Sequence, residues 1–320
     1  MKRLLGAAVA VALLAGCAAN PHAPDPKIAA ITAPIPGGVQ DPAVIPSAAP
    51  GDTSCGANVV DSLRPTGPLP APGAMPSGST MATIFKRGYL IAGVDQNTYL
   101  FGYYNPITAQ NEGFDISMAQ AVSKAIFGTV KIRYVAITSA ERIPYLRNHT
   151  VDIVADTMTI NCARWKQVDF SSVYYEAGQS LLVPTTSKAT SLDQLGQQKV
   201  CAASGSTSIA TIAAWPSRPI PVAVNDWTDC LVMLQQNEVA AISTDDTILR
   251  GLAAQDPHTH LVGKDFTSEP YGLAMSPDAT DFVRFVNALL AQMQANGEWA
   301  ATYRRWLGGT APTLPTVHYR

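Results

Sequence analysis

The chain has 320 residues, 47% of them hydrophobic and 14% charged, with a net charge of −2. That is a globular composition without the basic excess of a nucleic-acid binder, so nucleic acid is not an expected partner. The length suits one or two domains, and past the first residues no apolar run approaches the roughly 20 residues of a membrane-spanning helix.

Lys2 and Arg3 precede an apolar run over 4–15 that ends in Leu14-Ala15-Gly16-Cys17. The run is too short to cross a bilayer and predicts an export signal over 1–16, removed in the mature protein. Leu-Ala-Gly-Cys resembles the lipoprotein box of bacterial export signals. That resemblance implies acylation of Cys17, which would tether the protein to the extracytoplasmic face of the cell membrane; two or more acyl chains make such an anchor stable. Residues 17–78 are rich in Ala and Pro and lack a hydrophobic period. The prolines between 21 and 50 argue against helix or ladder pairing, and those at 65, 68, 70, 72 and 76 continue the pattern. The segment reads as an extended tether with little core-forming content.

The body is expected to begin at residue 79, with a helix over 80–87 stopped by Gly88 and a strand over 89–94. Gly113-Phe114-Asp115 opens a helix to 127, followed by a strand at 130–135, a helix at 139–147 and a strand at 151–155. A strand at 179–183, a helical turn at 191–195 and a strand at 199–203 come next. Helices at 208–215 and 227–237 lead to a strand at 240–243. A strand over 271–275, a helix over 278–296 broken by Gly297, and a helix over 298–307 complete the chain. Strands alternating with helices imply an α/β fold with mostly parallel sheets. Cys55, Cys162, Cys201 and Cys230 form an even set, which outside the cytosol predicts two disulfides with three pairings open. No Cys/His cluster has metal-site spacing, and no metal or cofactor is expected. Neither a G-x-S-x-G elbow, an H-E-x-x-H pair nor a glycine phosphate loop is present.

Between residues 85 and 307 a set of short motifs recurs in a familiar order. They are GYLIAGVD at 88–95, GFDISMA at 113–119, RIPYL at 142–146, VDIVA at 151–155, MTIN at 158–161 with Arg164 behind it, and VDFSSVYY at 168–175. ASGST at 203–207, Asp245-Asp246, YGLA at 271–274 and Trp306-Leu307 follow. In this order the chain resembles the polar amino acid-binding family of extracytoplasmic solute-binding proteins, and the glutamine- and glutamate-binding lipoproteins of actinobacteria in particular. The resemblance implies a two-lobed periplasmic-binding-protein fold of type II, each lobe a mostly parallel sheet flanked by helices, with a cleft between them. Lobe 1 would comprise 79–177 plus 270–320 and lobe 2 would comprise 178–269, with crossovers near 174–179 and 267–271. The implied function is capture of glutamate, glutamine, aspartate or asparagine by hinge closure, and delivery to an ABC permease or presentation to a transmembrane sensor. A monomer without catalytic residues is expected; the alternative class is a dehydratase-like enzyme of the same superfamily acting on a prephenate-like acid.

A free amino acid is a zwitterion, and burying it requires a cation for the carboxylate and an anion for the ammonium. The guanidinium of Arg164 suits the carboxylate, because it donates two parallel hydrogen bonds where a Lys cannot. Asp245, at the carboxyl end of a strand, suits the ammonium, with Asp246 as the capping residue of the pair. Thr159 and Thr157 face the same side, and the resemblance expects Gly at 157. Ser206 and Thr207, at a helix start, are the expected carboxylate contacts from the second lobe. The loop from Asp95 to Phe101 is expected to read the ligand side chain through Asp95 and an aromatic, Tyr99 or Phe101. Arg142 either pairs with a side-chain carboxylate of the ligand or with Asp95. The same map favours Cys201–Cys230 within the second lobe and Cys55–Cys162, which would fasten the tether beside Arg164.

Overall fold

The computed structural model describes residues 34–45, 54–55 and 58–320. The expected signal and Cys17 lie outside the described residues. Ile35–Arg320 forms one compact unit built on two five-stranded sheets.

In the first sheet the order is Ile132–Ala136, Leu90–Val94, Ile153–Val154, Ala274–Met275 and Asp169–Phe170. The first three strands are parallel; Ala274–Met275 runs antiparallel to both its neighbours. In the second sheet the order is Ile220–Val224, Lys199–Ala203, Ala241–Asp245, Gln179–Pro184 and Thr259–Val262. Here too three parallel strands are followed by an antiparallel one, Gln179–Pro184. Buried strands such as Leu90–Val94 and Lys199–Ala203 are apolar almost throughout, as strands covered on both faces must be. The chain passes between the sheets through Tyr175–Ala177 and Glu269–Tyr271, which pair antiparallel with each other. Each sheet has its own apolar core.

Helix Phe114–Phe127 depends on Gly113, whose φ of 130° suits glycine alone; a Cβ there would lie 2.0 Å from the Phe101 carbonyl oxygen. Helix Arg142–Arg147 starts later than its apolar pattern predicts, because Glu141 turns back to accept from the N–H and hydroxyl of Thr138. Several elements had no clear sequence signal. They are the small sheet Asn97–Thr98, Gly102–Asn105 and Gln110–Glu112, the strands Ile220–Val224 and Thr259–Val262, and the helix Asp246–Gln255. The strands are short and polar or proline-containing, and the helix carries Gly251 in its middle, which a sequence reading takes as a break. Gly251 is there because the Tyr99 carbonyl oxygen packs 2.7 Å from where a Cβ would stand.

The Pro/Ala-rich segment departs from the expectation that it contributes little to a core. Gln40 and Ala223 exchange backbone hydrogen bonds, and Ala43 N–H donates to Pro221 O, so residues 39–45 extend the edge of the second sheet. The Gln40 pairing falls in the Pro-free run between Pro36 and Pro42, where the N–H groups a ladder needs are present, and Ala43 donates just beyond it. Val39, Ala43 and Ile45 pack on the second core, and Leu63, Leu69 and Met75 on the first. Ser62 is fully buried, donating to Phe170 O and accepting from Asn287 Nδ2, both at 2.7 Å. The C-terminus closes over it. Arg320 lies 4.1 Å from the Trp165 ring centroid and 3.3 Å from Asp169 Oδ1.

Both favoured disulfides are present. Cys201–Cys230 joins a central strand to helix Trp227–Gln235, and Cys55–Cys162 joins the N-terminal segment to the short helix Cys162–Trp165. Cys201→Ala with Cys230→Ala should lower the unfolding free energy by about 3–4 kcal/mol, the chain-entropy value for a loop of this length. Urea denaturation of the double variant against the parent checks this.

Candidate functional site

The carboxyl ends of the strands meet at the cleft. Asp245 ends strand Ala241–Asp245, Ser206 and Thr207 follow strand Lys199–Ala203, and Thr157 and Thr159 follow strand Ile153–Val154. Arg164 stands on helix Cys162–Trp165, whose N-cap, Asn161, accepts from the Arg164 N–H at 2.9 Å. These residues line one small, closed cavity, together with Arg142, Trp227 and Ile248.

Arg164 is 7% exposed. Its Nη1 donates to Thr159 O at 2.6 Å, and its Nη2 reaches Gly205 O at 3.4 Å on the opposite lobe. Burial, then the like charge of Arg142, pulls its pKa down to about 9, against the attraction of Glu269, Asp245 and Asp156. It therefore stays cationic at neutral pH. Asp245 is 3% exposed; its Oδ2 accepts from Tyr271 Oη at 2.6 Å, while its buried Oδ1 has no hydrogen-bond partner among the described residues. Burial first, and the negative charge of Glu269 second, push its pKa up to about 8. An unpartnered oxygen on a buried carboxyl is costly, and a donor brought to it recovers that cost.

Arg142 lines the cavity but is not paired with Asp95. Its Nε and Nη1 donate to the carbonyls of Ser139 (3.0 Å) and Asp156 (2.9 Å), and Asp156 Oδ2 lies 3.9 Å from Nε. Asp95 instead folds its own loop: Oδ1 accepts from Asn97 N–H (2.7 Å) and Oδ2 from Thr98 Oγ1 (2.5 Å). Neither Asp95, Tyr99 nor Phe101 lines the cavity. Phe101 is fully buried and packs edge-on against Phe114, Tyr175 and Tyr271, while Tyr99 is half-exposed and packs on Tyr103. Alternation within a loop does not reveal which side chains a nearby core will take. Thr157 has φ 39°, a region that favours glycine, the residue expected there; its N–H donates to Asp115 Oδ2 at 2.7 Å.

The Ser206 hydroxyl is committed: it donates to Ala203 O (2.7 Å) and accepts from Ile209 N–H (3.2 Å) as the helix N-cap. That leaves it little capacity for a ligand carboxylate. Trp227 had not been singled out as a cavity residue. It opens helix Trp227–Gln235 directly after Asp226, which accepts from Asn97 Nδ2 across the cleft at 3.1 Å. An aromatic at a helix start facing the cleft was the available signal.

The profile of the bacterial extracellular solute-binding proteins, family 3, matches residues 90–309, and the chain belongs to that family. It is 38% identical to the ABC transporter glutamine-binding protein GlnH of Bacillus subtilis, over 71% of this chain and 84% of the relative. It is 27% identical to the glutamate-binding protein GluB of Corynebacterium glutamicum, over 75% of this chain and 84% of that protein. Among solved structures, an ancestral arginine-binding protein bound to glutamine superposes with a TM-score of 0.66 at 30% identity, covering 70% of this chain and 99% of that one. The fold is thus that of the two-lobed amino acid-binding proteins. Among the described residues no helix is long and apolar enough to cross a membrane.

The electrostatics of Asp245 carry a stability consequence. Its folded-state pKa lies above its unfolded value, so the native state binds the extra proton, and stability falls as pH rises from about 4 to about 8. Asp245→Asn removes this penalty. The variant without ligand should melt higher than the parent above pH 8, with the gap closing toward pH 4, as read by calorimetric melting across that range.

Proposed function

We propose that the protein captures a polar amino acid, glutamate, glutamine, aspartate or asparagine, by closure of the two lobes and delivers it to an ABC transporter. One observation carries the reading. A buried guanidinium, Arg164, and a buried carboxyl with a free oxygen, Asp245, come from opposite lobes and share one small cavity. That arrangement is complementary to an α-carboxylate and an α-ammonium held a few bonds apart. Relatives named for glutamine and glutamate binding support the ligand class. A half-micromolar to micromolar Kd needs about −8 kcal/mol, or roughly 0.8 kcal/mol per heavy atom of glutamate, which lies below the ceiling of about 1.5 for very small ligands. Reaching it requires near-complete enclosure, which closure around the ligand provides.

In this reading Thr159 and Thr157 complete the first-lobe wall, Arg142 faces the ligand side chain, and Thr207 contributes from the second lobe. Acylated Cys17 keeps the trap at the membrane, and a transmembrane sensor would read the same closed surface as a permease. The protein acts as a monomeric carrier and not as an enzyme; the relatives' names are those of binding and transport proteins, which favours this over a dehydratase.

Isothermal calorimetry of the purified protein against the twenty amino acids tests the proposal. An acidic or amide amino acid should bind with micromolar Kd. Arg164→Ala or Asp245→Ala should weaken it at least about 100-fold, as expected when one partner of a buried charge pair is removed. Binding confined to sugars or basic amino acids, or unaffected by either substitution, would refute it.

A further inference from the structure

The two lobes touch each other directly beside the cavity. Strand Asn97–Thr98 of the small sheet packs against helices Trp227–Gln235 and Asp246–Gln255 of the second lobe. Asn97 Nδ2 donates to Asp226 Oδ1 at 3.1 Å, and Trp227, the next residue, lines the cavity. The Tyr99 carbonyl oxygen stands 2.7 Å from where a Cβ on Gly251 would lie. Gly251 follows the cavity residue Ile248 by three positions, which puts both on one face of their helix. At a second place, beside Ser139 and Ser206 of the cavity wall, a Cβ on Gly205 would lie 2.7 Å from Ala140 Cα.

A glycine inside a helix costs stability against alanine, and Gly251 sits in the middle of Asp246–Gln255. What the missing side chain supplies is room for a carbonyl of the opposite lobe. The first-lobe half of this contact is shaped in advance. Asp95 accepts from the Asn97 N–H and from the Thr98 hydroxyl, which sets the loop so that the Asn97 amide and the Tyr99 carbonyl both meet the second lobe. Leu100, next in the chain, is held at φ 77°, so the turn that presents the Tyr99 carbonyl carries strain that its surroundings hold in place.

We propose that Asn97 and Gly251 are positioning residues for ligand capture: they form a catch that joins the lobes only when the cleft is closed, and so set how long the ligand stays. The inference rests on the amino acid-binding reading above. The ligand enters an open cleft, and the Asn97–Asp226 bond and the Tyr99–Gly251 contact form as the lobes come together. Contacts made after the encounter act on the dissociation rate and leave the association rate near its open-cleft value. Neither Asn97 nor Gly251 lines the cavity. They act through Asp226, and with it the start of the helix that carries Trp227, by holding both against the first lobe.

The test is stopped-flow kinetics and calorimetry with glutamate and glutamine on the parent, Gly251→Ala, Asn97→Asp, the swapped pair Asn97→Asp with Asp226→Asn, and Arg164→Ala. Gly251→Ala pushes a methyl group into the Tyr99 carbonyl, and Asn97→Asp sets two carboxylates against each other across the cleft. Each should raise the dissociation rate about tenfold, and Kd with it, while the association rate changes by less than about twofold. The swapped pair restores a donor and an acceptor, and Asn still caps the helix, so its dissociation rate should return to within about threefold of the parent's. Small-angle scattering at saturating ligand should show Gly251→Ala less compact than the parent. Dissociation rates of Gly251→Ala and Asn97→Asp that match the parent's, while Arg164→Ala abolishes binding, overturn the inference and leave the binding reading intact. A swapped pair no slower to dissociate than Asn97→Asp alone does the same. Failure of the parent to bind either ligand overturns both.

Discussion

Asp245 and Arg164 define the problem this structure solves. Each is an ionisable group taken almost wholly out of water, and Asp245 Oδ1 is left without a hydrogen-bond partner among the described residues. Burying an unpaired charge costs several kcal/mol even after the surroundings relax. The pair is therefore unfavourable in isolation and favourable once a molecule of opposite polarity lies between them. The neighbouring groups serve that balance. Tyr271 holds one oxygen of Asp245, and carbonyls from Thr159 and Gly205 receive the guanidinium of Arg164.

The fold delivers these groups by a simple route. Both sheets place their parallel strands with carboxyl ends at the cleft, which is where ligands of open α/β sheets sit. The two crossover strands pair with each other, so the segment that relates the lobes also carries Tyr271 and Glu269 to the site. On the outer side, Cys55–Cys162 fastens the N-terminal segment to the helix that presents Arg164, and residues 39–45 extend the far sheet. The N-terminal Pro/Ala-rich segment is therefore bound to both halves of the body.

Much of this was legible in the sequence. The α/β alternation and the Asp245 strand end followed from patterns that local physics enforces, and the place of Arg164 behind MTIN followed from the resemblance to the family. The two disulfides followed from the map those patterns made. What escaped has physical causes. Phe101 looked like a ligand-reading aromatic, yet the core beneath it claims the ring. Asp95 looked like a specificity carboxylate, yet it is used up in bonds to residues two and three positions on. The bond between Glu269 and Thr207 carried no signal, because the two lie 62 positions apart. The short strands at 97–112 and the Gly-containing helix Asp246–Gln255 are stabilised by packing between the lobes, which no local propensity encodes.

The account's central claim is that one zwitterion spans Arg164 and Asp245 across the closed cleft. A crystal structure of the protein with a bound acidic or amide amino acid tests it most directly. The account predicts the α-carboxylate on the Arg164 guanidinium and the α-ammonium within hydrogen-bond distance of Asp245 Oδ1. A ligand bound in the reverse sense, or seated outside this cavity with Asp245 Oδ1 still unpartnered, would contradict it.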